Sequence, residues 1–306
     1  MSEPVVLGQR EVPLGGPRAM TVRRSLPQRE RSLIGAWCFV DHYGPDDVSV
    51  SGGMALPGHP HTGLQTVSWL FSGEIEHRDT SGAHALVRPG EINLMTAGSG
   101  IAHSEYSTPA TTVLHGAQLW VALPQRHRLV DRRFDHYAAP QFEVDGAAMR
   151  VFLGSLFGQG SPLPTFTPLT GAEVVLPAGA SLEIPVPGDH EHGLLCDTGT
   201  LTVGPATAGR GEILFQPAGA ASIVVRAGEH APARFLVLGG EPFGEQIVMW
   251  WNFVGGSHDD VVAFREDWQR QRTAPSTPGR YGRFPGVWAS TLPAPELPNV
   301  RLRSRG

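Results

Sequence analysis

Gly58-His59-Pro60-His61-Thr62-Gly63 and, further along, Gly100-Ile101-Ala102-His103-Ser104-Glu105 are the two segments on which the reading of this chain turns. Each carries two metal-capable side chains spaced i, i+2: His59 and His61 in the first, His103 and Glu105 in the second. Side chains alternate faces along a β-strand, so i and i+2 point the same way. Two neighbouring strands with these pairs facing inward bring three imidazoles and one carboxylate to one point. That donor set suits a borderline divalent cation such as Fe²⁺, Zn²⁺, Ni²⁺ or Cu²⁺.

The residues between and after the two segments have the pattern of a β-barrel. Residues 66–71 form a strand ended by Ser72-Gly73, and residues 75–79 start another, turned by Thr80-Ser81-Gly82. Residues 85–87 lead into Arg88-Pro89-Gly90, and 92–95 into the bend Ala97-Gly98-Ser99-Gly100. Residues 113–123 form a longer strand that Pro124 stops. Short strands at close intervals, punctuated by Gly and Pro, fit a closed barrel or jelly roll. Upstream, residues 36–40 read as a strand ending in the turn Asp41-His42-Tyr43-Gly44-Pro45. The first 36 residues mix short apolar runs with turns such as Leu14-Gly15-Gly16-Pro17.

Composition agrees with an all-β chain. Gly 38 and Pro 27 among 306 residues are high for a chain without a Gly-X-Y repeat, which points to many turns. A net charge of −5 supplies no attraction for nucleic acid or an anionic membrane surface. All 24 basic residues are Arg, and they form no patch. Cys38 and Cys196 stand in no CxxC pattern and read as small core residues in a reducing compartment. Met1-Ser2-Glu3-Pro4 lacks the basic and apolar regions of a signal peptide, and no apolar run is long enough to span a bilayer. A soluble, cytoplasmic protein is expected.

Residues 124–146 are polar and aperiodic, and the domain junction is placed there. The expected division is 1–135 for a first barrel holding the metal site, 136–272 for a second without metal, and 273–306 for an extended tail. The second domain ends in a helix over 258–272. Ser257 caps it with Asp260 three residues on, Asp259 and Asp260 suit its positive start, and Val261, Phe264 and Trp268 form its apolar stripe.

A faint internal repeat relates the halves. Gly90 is followed after five residues by Thr96-Ala97-Gly98, and Gly211 after five residues by Pro217-Ala218-Gly219. Upstream, Ser72-Gly73 matches Thr198-Gly199. Projected through these anchors, the metal positions fall on Pro185, Pro187, Val224 and Arg226, so the second copy keeps the scaffold and loses the ligands. Asp189-His190-Glu191-His192 lies out of register after the turn Pro187-Gly188 and reads as a solvated loop.

Taken together, these motifs resemble the cupin superfamily and, more narrowly, the pirin family. The likeness is carried by Asp41-His42-Tyr43-Gly44-Pro45, His59-Pro60-His61-Thr62-Gly63 and Gly73-Glu74-Ile75-Glu76-His77-Arg78-Asp79. It continues in Met95-Thr96-Ala97-Gly98-Ser99-Gly100-Ile101-Ala102-His103-Ser104-Glu105 and Gln118-Leu119-Trp120-Val121. The resemblance implies an all-β fold of two cupin-type jelly-roll barrels, a bicupin, with one C-terminal helix and an extended tail. It implies one divalent metal ion in the N-terminal barrel, Fe²⁺ foremost, with zinc, nickel, copper or manganese as alternatives. Carried over, the ligands are His59, His61, His103 and Glu105. It further implies one of two activities. One is quercetin 2,3-dioxygenase chemistry on a small aromatic substrate and O₂; the other is redox-sensitive binding of a protein partner, such as a transcription factor or metabolic enzyme. Leu64, Gln65 and Ser99 depart from the residues most frequent in that family, which leaves the substrate open.

Within the dioxygenase reading, Glu105 is the candidate catalytic base for a flavonol hydroxyl. His42, Gln118 and His115 are candidates to orient the imidazoles, and His77 and Asp79 sit beside a turn near the site. Trp69, Trp120 and Met95 read as barrel core.

Overall fold

The computed structural model describes residues 3–14, 20–274 and 279–306. Apart from Leu14, the turn expected at Leu14-Gly15-Gly16-Pro17 lies outside them, as do Met1, Ser2 and the stretch 275–278 of the tail.

The chain divides into two compact units. The first is built around Tyr43–His136 and Gly244–Gly306. One of its sheets runs in the order Ala55–His61, Ile101–Ser107, Ile75–Asp79, His84–Val87. The other places Arg133–Ala138, Glu91–Thr96, Leu64–Ser72 and Val113–Ala122 side by side. Strands expected over 66–71, 75–79, 85–87, 92–95 and 113–123 thus all form, with ends shifted by two residues or fewer. Leu64–Ser72 is buried over its first seven residues, because both of its faces are covered.

The second unit is built around Arg23–His42 and Tyr137–Phe243. Its larger sheet contains, in order, Ile213–Gln216, Glu191–Thr198, Ala233–Gly240, Leu169–Leu176 and Ala147–Leu156. Ser181–Pro185, Ser222–Ala227, Leu201–Val203 and Ala206–Ala208 make the smaller one. A hydrophobic core that includes Leu182, Ile184, Leu194, Ile223, Val225 and Phe235 fills the space between the sheets. Cys38 and Cys196 are free and buried, and burial pushes the Cys196 thiol up to about 12.

Four expectations need correction. The units do not follow chain order, because the polypeptide enters the second unit for 23–42 and returns to the first after Phe243. By its contacts the helix His258–Thr273 groups with the unit that contains His59, His61, His103 and Glu105. Its buried Val261, Phe264 and Trp268 pack with Ala102, Phe253 and Tyr281, all of that unit. Each such side chain contributes about 1.5–3 kcal/mol of burial. Secondly, Asp41 to Pro45 do not end a strand; Trp37–Asp47 is continuous through them. Gly44, at φ +79, makes this possible, since a Cβ there would strike the Leu114 carbonyl. Thirdly, the repeat projection lands one position off. Val224 and Arg226 are exposed, and the inward positions on those strands are Leu182, Ile184, Ile223 and Val225. Fourthly, Glu191 and His192 are not a solvated loop but open the strand Glu191–Thr198 and are buried.

Among the described residues, no helix is long and apolar enough to cross a membrane.

Candidate metal centre

Strand pairing brings the sequence-predicted side chains together. Ala55–His61 and Ile101–Ser107 are antiparallel, with His59 opposite His103 and His61 opposite Ile101. A register shift between His103 and Glu105 then sets Glu105 opposite Leu56. On the other edge of Ile101–Ser107, His103 stands opposite Asp79 and Glu105 opposite His77. Gly63 and Gly98 hold the strand ends: the Gly63 N–H donates to the Gly98 carbonyl at 2.8 Å. Both have positive φ, +67 and +51, and a Cβ on either would collide with the Val254 or Val130 carbonyl oxygen.

His59, His61 and His103 form one cluster, with each pair of ring centroids 4.3–5.2 Å apart. His61 Nε2 lies 3.0 Å from His103 Nε2. His59 Nδ1 donates to the Pro57 carbonyl at 2.9 Å, which leaves its Nε2 bare. A second group shares His103: ligand-capable atoms of His77, His103 and Glu105 lie within 4.8 Å of one another. Ser68 Oγ lies 3.1 Å from Glu105 Oε1 and 3.0 Å from Gln118 Oε1.

Burial sets the protonation states. None of the four predicted ligands is more than 5% exposed. Desolvation lowers His59 to about 4 and holds His61 and His103 well below the ordinary imidazole range, with neighbouring histidines adding to the effect. All three rings are neutral near pH 7 and have lone pairs to share. Burial pushes Glu105 upward, against the opposing pull of His77 and the Ser68 hydroxyl.

The donor set passes a test of fit to a cation. Two imidazole nitrogens face each other at 3.0 Å, the buried Nδ1 of His61 makes no hydrogen bond of full geometry, and a carboxylate stands in the adjoining group. Neutral nitrogen donors with one buried carboxylate match a borderline divalent ion.

The other candidates divide. Gln118 touches the site through Ser68. His77 contacts it directly, with its Nδ1 3.4 Å from His103 Nδ1 and its Nε2 2.9 Å from Asp79 Oδ2. His42, by contrast, bonds to Asp197 at 2.7 Å, and His115 sets its ring edge-on to Phe71. Trp120 is core, as expected, but its ring also meets His61 at 5.2 Å. Sequence reasoning missed Ser68 and Phe134, which stacks on His77 at 4.8 Å. For Ser68 a signal existed: Thr66 and Ser68 are hydroxyl side chains spaced i, i+2, which puts them on one face of the strand.

Paired sheets in each unit, with the His59–His61–His103 cluster on the strands of one of them, define a bicupin. The chain belongs to the pirin family: it matches Pirin over residues 19–121 and the Pirin C-terminal cupin domain over residues 171–274. It is 38% identical over 290 residues to "Putative quercetin 2,3-dioxygenase PA1205" of Pseudomonas aeruginosa, covering 94% of this chain and 89% of that one. A "Pirin-like protein" of Caulobacter vibrioides is 32% identical over 260 residues, with coverage of 82% and 88%. The crystal structure of quercetin 2,3-dioxygenase from Acinetobacter baumannii superposes with a TM-score of 0.90 at 34% identity, covering 98% and 97% of the two chains.

Proposed function

We propose that this protein is a metal-dependent dioxygenase of the quercetin 2,3-dioxygenase type, acting on flavonols or related enolic aromatics. The observation that carries the reading is the convergence of His59, His61 and His103, neutral and buried, beside Glu105. The names borne by relatives at 38% and 34% identity support the substrate class.

His59, His61, His103 and Glu105 would hold the metal, Fe²⁺ foremost. When bound, such an ion is a Lewis acid that acidifies an enolic hydroxyl and makes the aromatic ring electron-rich toward O₂. The protein's own groups do the rest. The three neutral imidazoles and one carboxylate leave a divalent centre with one net positive charge, which suits an enolate. Glu105, pushed up by burial, takes the hydroxyl proton on a carboxylate oxygen, and Ser68 Oγ steadies that carboxylate. Trp120, edge-on to His61, restricts movement of the ring.

The depth of burial favours a second reading, an iron-binding regulator of a protein partner without turnover. Side chains exposed by 5% or less present little surface to a substrate as broad as a flavonol. Oxygen uptake with quercetin separates the two. The enzyme reading expects uptake by the iron-loaded protein and none by His59→Ala; equal rates in both exclude it. Glu105→Gln that retains iron and full turnover removes the proton-accepting role.

A further inference from the structure

We propose that Trp251, at the tip of the hairpin formed by Val248–Trp250 and Phe253–Gly255, contacts the substrate by stacking on the fused rings of a planar aromatic whose chelating end lies at His59, His61 and His103. The choice of ligand rests on the flavonol reading; the placement of Trp251 does not.

The backbone singles this residue out. Trp250 pairs with Phe253, so Trp251 and Asn252 alone make the turn. Trp251 has φ +50, and Asn252 does not share the left-handed conformation. In a two-residue turn with positive φ at its first position only, glycine is the usual occupant of that position. Two other non-glycine residues, Asp145 and Phe157, have positive φ, and each is followed by a glycine that shares it, Gly146 at +80 and Gly158 at +73. Positive φ at both positions is an ordinary hairpin turn. A tryptophan in the glycine position is a cost that the turn itself does not require. Residues held in such conformations cluster at active sites and ligand clamps.

The turn stands beside the histidine cluster. Phe253 bridges Thr62, the residue after His61, and the Val254 N–H donates to the Thr62 carbonyl at 3.1 Å. The Asn252 backbone lies near enough to the His61 ring to act on it. Packing fixes the hairpin there: Trp251 meets Phe253 edge-on at 5.4 Å, and Phe253 meets Phe264 and Tyr281 at 6.2 and 6.3 Å. Trp250 and Trp251 are nonetheless only half-buried. His59, His61 and His103 are each 5% exposed or less, so the indoles offer aromatic surface to the part of a ligand that does not reach between the imidazoles. A flat fused ring system stacks on an indole in offset geometry, whereas a single small ring held at the imidazoles leaves the indole uncovered.

Equilibrium titration of the Zn²⁺-loaded protein is the test, because zinc has no redox chemistry and consumes no ligand. Two probes share the same adjacent hydroxyl and keto oxygens: quercetin, with its fused rings, and maltol, with a single ring. Trp251→Gly, which the turn itself favours, is expected to weaken quercetin binding about tenfold and to leave maltol binding and Zn²⁺ affinity within about twofold of the wild type. Trp251→Phe keeps an aromatic face and should hold quercetin within about threefold. Equal quercetin affinity in the wild type and Trp251→Gly overturns the proposal. So does an equal loss for both probes, since the substitution then disturbs the histidine cluster rather than removing a contact. Failure of the dioxygenase reading looks different: Trp251-dependent quercetin binding with no oxygen uptake by the iron-loaded protein sinks the turnover and leaves the contact standing.

Discussion

His61 and His103 face each other through their Nε2 atoms at 3.0 Å. Two bare lone pairs repel at that distance, so in the metal-free protein one nitrogen carries a shared hydrogen. In whichever ring donates that hydrogen, Nδ1 is then bare. A cation gripped by both rings requires both Nε2 atoms bare.

The first prediction follows for Zn²⁺ titration followed by ¹⁵N–¹H spectra. The ring that holds the shared hydrogen on Nε2, whether His61 or His103, should move it to Nδ1. His59 should not change, because Nδ1 is committed to the Pro57 carbonyl. A switch at His59 with none at His61 or His103 contradicts this geometry.

Metal should also stabilise the unit that holds it. A ligand that binds only the folded state adds RT ln(1 + [L]/Kd), about 4 kcal/mol at a thousandfold excess over Kd. Calorimetry should show a higher Tm on loading in the wild type and no rise in His59→Ala. An equal rise in both would place the cation elsewhere.

Gly58 is confined by the tail. A Cβ there would lie 2.5 Å from Trp288 Cε3, and the Gly58 carbonyl accepts from Leu292 N at 2.8 Å. Gly58→Ala is expected to cost about 1–3 kcal/mol through overpacking and, being adjacent to His59, to weaken metal binding. Trp288→Ala in the same chain should relieve most of the cost. Strictly additive losses in denaturant unfolding would show that the two do not meet.

How much of this could be read in advance depended on range. The i, i+2 pairs His59/His61 and His103/Glu105 and the Ser257–Asp260 capping box are local patterns, and the pairs lie on strands and the box at a helix start, as spacing predicts. Contacts set by chain return were not legible. The helix stripe was visible in Val261, Phe264 and Trp268, but nothing in that stripe says that it packs on Ala102 and Phe253 rather than on the preceding barrel. His42 and His77 look alike as isolated histidines beside carboxylates. Only cross-strand register, which sets Glu105 opposite His77, separates a residue of the centre from one bonded to Asp197. The repeat projection failed for a related reason: a shift of one residue inverts every side chain on a strand.

The second unit also buries His192, which yields a prediction for acid stability. His192 is 1% exposed, its ring lies 6.1 Å from that of His190, and burial, aided by His190, lowers it to about 4 from 6.5. Between those values the unfolded chain binds the proton and the folded chain does not, so acidification favours unfolding. The contribution is fully present above about pH 6.5 and is lost as pH falls toward about 4, amounting to roughly 3 kcal/mol over the window. Glu191, raised by burial, acts in the opposite sense and offsets part of it. The lowered His59, His61 and His103 add acid sensitivity of their own, so only a difference between variants isolates His192. Urea unfolding of His192→Gln across pH 4–7.5 should lose less stability on acidification than the wild type. Curves that fall in parallel would mean that His192 titrates normally and that its burial carries no such linkage.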